Sequence, residues 1–116
     1  MLSIFFPLLQ AIVTQPVKFE IKPIVQEVKQ KTVDELIREY FGEYSDEAVE
    51  VARCENRKFD STKVNEIGCV GIFQIYAKYH NTTIEEMQDP EKNIKKAYEI
   101  FSNDNFTWNQ WSCKPY

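Results

Sequence analysis

From Thr32 onward, apolar and polar positions recur with the period of a helix in several separate segments. Val33, Leu36, Ile37, Tyr40 and Phe41 fall on one face. Thr32-Val33-Asp34-Glu35 before them has the form of a capping box, and Gly42 is placed to stop the helix. A second helix starts after Ser45 or Asp46, either of which can cap it, and carries Ala48, Val51 and Ala52 on its apolar side. Between Phe59 and His80 the pattern changes. Gly68 and Gly71 flank a pair of residues, and Ile72-Phe73-Gln74-Ile75-Tyr76 is too short for a helix and suits a turn or small hairpin strand. Thr82 and Thr83 can cap a short helix through Met87, and Asp89-Pro90 opens the clearest helix of the chain. There Ile94, Ala97, Tyr98 and Phe101 form the inner face, with Lys92, Lys95, Lys96 and Glu99 opposite. Trp108 and Trp111 in the tail most simply close the core. The prediction is a mainly α domain with one short turn or hairpin-like segment.

The N-terminus is different in kind. Leu2 to Val13 is almost wholly apolar, too short to span a bilayer comfortably, and similar to the apolar core of a secretion signal. No Lys or Arg precedes it, the first being Lys18, and no Ala-x-Ala site follows it. Export through a cleaved signal or an uncleaved anchor is preferred to a cytosolic apolar tail. We therefore divide the chain into an apolar segment (1–15), a linker or arm broken by Pro16 and Pro23 (16–31), and a folded domain (32–116).

With 116 residues, 43% hydrophobic and 14% aromatic, the chain can bury one core and has no room for a second domain. Its net charge of −4, with no basic stripe interleaved with aromatics, argues against nucleic acid as a partner. Arg53, Arg57, Lys58 and Lys63 nevertheless cluster around Glu55, either to face anionic groups of a substrate or as a solvated helix end and loop. His80 stands without Cys or acidic residues at ligand spacing, so neither a metal nor another cofactor is expected.

Glu55 carries the candidate chemistry because it lies along an apolar stripe, after Ala48, Val51 and Ala52 and before Phe59. An ionised carboxylate there must find a partner, stay protonated, or stand at the lip of a cleft. Its place near a helix C-terminus also disfavours negative charge, which suits a general acid.

Taken in order, Arg53-Cys54-Glu55, Gly68-x-x-Gly71-Ile72-Phe73-Gln74-Ile75, Asp89-Pro90-Glu91-Lys92-Asn93-Ile94 and Trp108-x-x-Trp111 resemble the lytic transglycosylase and goose-type lysozyme group of the lysozyme-like superfamily. The resemblance spans about residues 33 to 113 and implies a lysozyme-like α+β fold. It makes Glu55 the catalytic acid and places Gln74 in the cleft. Asn56 stands where that group usually has serine, Cys69 where it often has a small or acidic residue, and its Ala-Tyr-Asn segment has no evident match. We take Asn56 and Tyr76 as further substrate-binding residues, Tyr76 by stacking on a sugar from the face it shares with Gln74.

Glycosidic cleavage normally uses two carboxyl groups. With Glu55 alone, the resemblance implies that the substrate's acetamido group assists and its C6 hydroxyl attacks, leaving a 1,6-anhydro sugar. Asp60 and Glu66 are the nearby candidates for a second carboxylate that would turn the outcome to hydrolysis, though both read more simply as solvated loop residues. Three cysteines allow one disulfide in three pairings. Cys54 with Cys113 is favoured, since it would staple the tail to the helix carrying Glu55, while a small buried hydrophobe is the alternative role for Cys54. The expectation is an extracytoplasmic, monomeric lytic transglycosylase. It would act on the β-1,4 bond between N-acetylmuramic acid and N-acetylglucosamine in peptidoglycan glycan strands. The alternatives are a hydrolytic goose-type muramidase and a non-catalytic glycan-binding module, the latter suggested by Asn56.

Overall fold

In the computed structural model, which describes residues 29–116, helix α1 (Val33–Phe41) starts where the Thr32 hydroxyl accepts the Glu35 amide at 3.1 Å. It stops at Gly42, whose φ of +52° takes the chain into the left-handed region. The apolar segment and most of the proposed arm lie outside the described residues. Helix α2 (Ser45–Glu55) does not begin with the expected side-chain cap. A 3-10 turn at Gly42–Tyr44 runs straight into it, and Ser45 is already helical. Its hydroxyl donates back to the Gly42 carbonyl, with that of Arg38 a second acceptor 3.2 Å away, while Asp46 takes the guanidinium of Arg38 at 2.9 Å. Both candidate caps are thus occupied with the preceding turn.

After α2 the chain forms a two-stranded antiparallel sheet, β1 (Cys69–Val70) and β2 (Ile75–Tyr76), with Cys69 opposite Tyr76 and Val70 opposite Ile75. Helix α3 (Ile84–Met87) is capped by Thr83, and α4 (Pro90–Asn103) by Asp89, whose carboxylate accepts the Lys92 amide at 2.9 Å. Ile94, Ala97 and Phe101 of α4 are buried as their spacing predicts. The structure is therefore mainly α with one small sheet.

The centre of the core is aromatic. Phe41 stacks on Phe73 and Trp108 at ring separations of 5.4 and 5.6 Å and meets Tyr98 edge-on at 5.3 Å. Trp108 and Trp111 close this core from the tail. Each spends its indole N–H on a partner, Trp108 on the half-buried Glu47 Oε2 at 3.2 Å and Trp111 on the buried Phe73 carbonyl at 3.0 Å. A disulfide joins Cys54 to Cys113, with their Cα atoms 5.9 Å apart, which is the pairing favoured from the sequence.

One buried polar side chain locks the hairpin to α4. Asn93, with no exposed surface, donates to the carbonyls of Val70 and Met87, each at 2.8 Å, and accepts the Phe73 amide at 2.9 Å. Gly71 leaves the room for it: a Cβ at this position would lie 2.5 Å from the Met87 carbonyl oxygen and 2.6 Å from Asn93 Nδ2, at a φ of +72°. Gly71→Ala is expected to destabilise the protein by about 3 kcal/mol, the sum of left-handed strain and overpacking against groups that cannot yield. Urea unfolding of the variant checks this, and a loss below about 1 kcal/mol would mean that the hairpin shifts freely.

Candidate active site

The apolar stripe of α2 runs from the core to the surface and ends in Glu55. Ala48, Val51 and Ala52 have no exposed surface, Glu55 is half-buried as the last helical residue, and Phe59 packs at the edge of the core. Glu55 opens onto a cleft of about 590 Å³. Its Oε1 accepts the backbone N–H of Cys113 at 3.1 Å, and Lys63 donates to its backbone carbonyl at 3.4 Å.

Gln74 lines the same cleft but arrives there by a different route from strand alternation. It ends the turn between β1 and β2 in the left-handed region, at φ +49°, and its amide donates to the Gly71 carbonyl at 2.9 Å and the Lys63 carbonyl at 3.4 Å. Two carbonyls on Nε2 fix the amide orientation. Oε1, with no donor among the described residues, is left to accept from a ligand. The neighbouring Ile75 also lines the cleft while remaining buried, so both residues contribute to its wall.

Tyr76, half-buried, lines the cleft and meets Tyr79 at a ring separation of 4.8 Å. Tyr79 is 82% exposed, so the pair forms an aromatic rim of the kind that packs against sugar faces. Asn56 is placed elsewhere. It is 1% exposed and does not line the cleft, because the chain leaves α2 at this residue and turns its side chain inward. There it donates to the carbonyls of Asp60 at 2.7 Å and Gly71 at 2.9 Å and accepts the Asp60 amide at 3.0 Å. A serine hydroxyl, with one proton, could not donate to both carbonyls at once.

Asp60 and Glu66 are both exposed and neither lines the cleft. The hydroxyl and amide of Thr62 both donate to the Asp60 carboxylate, which holds that carboxyl below its ordinary range. Among the described residues, Glu55 is the one carboxylate in the cleft wall.

No protein-family model, curated protein or solved structure matches the chain.

Sequence reasoning missed several lining residues. His80, considered only as a metal ligand, is brought into the cleft by a 3-10 turn at Ala77–Tyr79, where burial and then the nearby charge of Lys96 lower its pKa below the ordinary histidine range. Cys69 presents a half-buried free thiol to the same space. Gln110, Trp111 and Ser112 make the tail a wall of the cleft, in addition to the core-closing role expected of Trp111. The signal for that wall was present in the favoured disulfide, since Cys54 immediately precedes Glu55. Among the described residues, no three His, Cys, Asp or Glu side chains gather in a way that would hold a metal ion. The basic residues Arg53, Arg57, Lys58 and Lys63 are exposed around the end of α2, with Arg53 over the ring of Phe59 at 5.7 Å.

Proposed function

We propose that this chain is a lysozyme-like lytic transglycosylase that cleaves the β-1,4 bond between N-acetylmuramic acid and N-acetylglucosamine in peptidoglycan, with Glu55 as acid and then base. A single observation carries the proposal: one carboxyl group, on the last residue of a helix whose apolar face is buried, stands in a cleft with an unpaired amide oxygen and an aromatic rim. Two-carboxylate glycosidases need a second acid on the other side of the scissile bond. Asp60 and Glu66 do not supply it from the positions they occupy, which favours the substrate-assisted route over hydrolysis of goose type.

In that route the Glu55 carboxyl gives its proton to the glycosidic oxygen as the C1–O bond breaks, and the substrate's acetamido oxygen bonds to C1. The resulting carboxylate then takes the proton of the C6 hydroxyl, whose oxygen displaces the acetamido group from C1. The product is a 1,6-anhydro sugar, and Glu55 is again protonated. Gln74 Oε1 is an acceptor for a substrate N–H or O–H, and Tyr76 with Tyr79 supplies an apolar face. The buried role of Asn56 accounts for that residue without invoking lost activity, and so weighs toward an enzyme over a glycan-binding module. An extracytoplasmic, monomeric protein, with its N-terminal segment as signal or anchor, fits a cell-wall substrate.

Mass analysis of digested sacculi tests this. Muropeptides with 1,6-anhydro ends are the expected product. Reducing ends would instead assign a hydrolase, and binding to sacculi without release of fragments would assign a glycan-binding module.

A further inference from the structure

We infer that Cys113 is a positioning residue for the catalytic acid: its backbone N–H, held in place by the Cys54–Cys113 disulfide, fixes which oxygen of Glu55 carries the reactive proton. This rests on Glu55 being the acid. The Glu55 side chain ends a helix at the mouth of a cleft and has several rotatable bonds, so it needs an anchor to hold one geometry. Among the described residues, its carboxyl group makes one hydrogen bond, from the Cys113 amide to Oε1 at 3.1 Å. An N–H donor on Oε1 makes that oxygen the carbonyl-like one in the protonated acid, leaving Oε2 to hold the proton that is transferred.

The disulfide supplies the placement. Cys54 is the residue before Glu55, so the bond holds the Cys113 backbone at the end of α2, where its N–H reaches the carboxyl. The tail is also braced on both sides of Cys113, upstream by Trp111 on the Phe73 carbonyl and downstream by Lys114, which donates to the Trp108 carbonyl at 2.7 Å and to that of Trp111. Tail folding and acid positioning can therefore be separated by experiment.

The test deletes only the N–H. Residues 1–68 are ligated at Cys69 to a synthetic 69–116 segment in which the Ser112–Cys113 peptide bond is an ester, giving the full chain with all side chains and the disulfide. The Ser112 carbonyl accepts no hydrogen bond among the described residues, so weakening it should have no effect of its own. Compared with the same ligation product bearing the amide, the ester is expected to lower kcat on peptidoglycan about tenfold, the loss of one hydrogen bond to a carboxyl that gains charge as its proton is transferred. KM is expected to stay within about twofold and the thermal midpoint within a few degrees. An unchanged kcat would overturn the inference.

A second measurement does not depend on turnover. With 13C-glutamate in residues 1–68, the Glu55 side-chain carboxyl resonance, assigned through Glu55→Gln, is expected to shift between amide and ester. An identical resonance in the two proteins would overturn the positioning role even if neither cleaves peptidoglycan. Failure of the amide-bearing protein to release any product would instead reject the proposed function and leave the carboxyl resonance to decide the placement.

Discussion

Glu55→Gln is expected to lower turnover of peptidoglycan by about 10³-fold or more while leaving the fold intact. The substitution removes the transferable proton, and the loss matches what a positioned general acid contributes. It is nearly isosteric. The amide oxygen of glutamine can still accept the Cys113 N–H, and the half-exposed site leaves no buried charge to compensate. The variant should therefore retain its thermal midpoint and its affinity for sacculi. Release of anhydro-muropeptides, followed by mass spectrometry, checks the first expectation, and a denaturation curve the second. Ordinary activity in a folded Glu55→Gln protein would remove Glu55 from the mechanism, and with it the proposed chemistry.

The second large effect concerns stability. Replacing both Cys54 and Cys113 by alanine is expected to cost about 4 kcal/mol, from the chain entropy restored when a link across 59 residues is lost. That is a large share of the margin of a small domain. The aromatic core around Phe41 does not depend on the link, so the variant should still fold in the cold and unfold at a lower urea concentration. Urea titration of the oxidised protein against the double variant gives the difference directly. A loss under about 1 kcal/mol would show that the tail contacts of Trp111 and Lys114 already confine the chain.

Elements whose limits are set by neighbours in sequence were legible without a structure. The Thr32 cap, the Gly42 stop and the Asp89-Pro90 start each act within one helical turn, so α1 and α4 could be placed directly. The start of α2 could not, because Ser45 and Asp46 serve the preceding turn, an arrangement that depends on how Gly42 bends the chain. Glu55 was visible because a charge on an apolar stripe is anomalous in any fold. Asn56 follows it directly but lies outside the cleft wall, since its direction is set by the backbone just after the helix ends. Gln74 was expected in the cleft through strand alternation and reaches it through a left-handed turn. His80 and the Gln110–Ser112 wall carry no local signature of a site. They become part of one only when a 3-10 turn and a distant disulfide fold them against the hairpin and α2.

The Gly71 carbonyl oxygen accepts from both Asn56 and Gln74, one following the proposed acid and the other presenting the amide of the cleft. A single atom thus couples two walls that are remote in sequence, and Gly71 is itself wedged against Met87 and Asn93. These two walls must move as one rigid piece. Entry and exit of the proposed glycan strand would then fall to the third wall, the tail, so breathing of the cleft should show first as faster hydrogen exchange at Gln110 and Ser112, with the hairpin amides still protected.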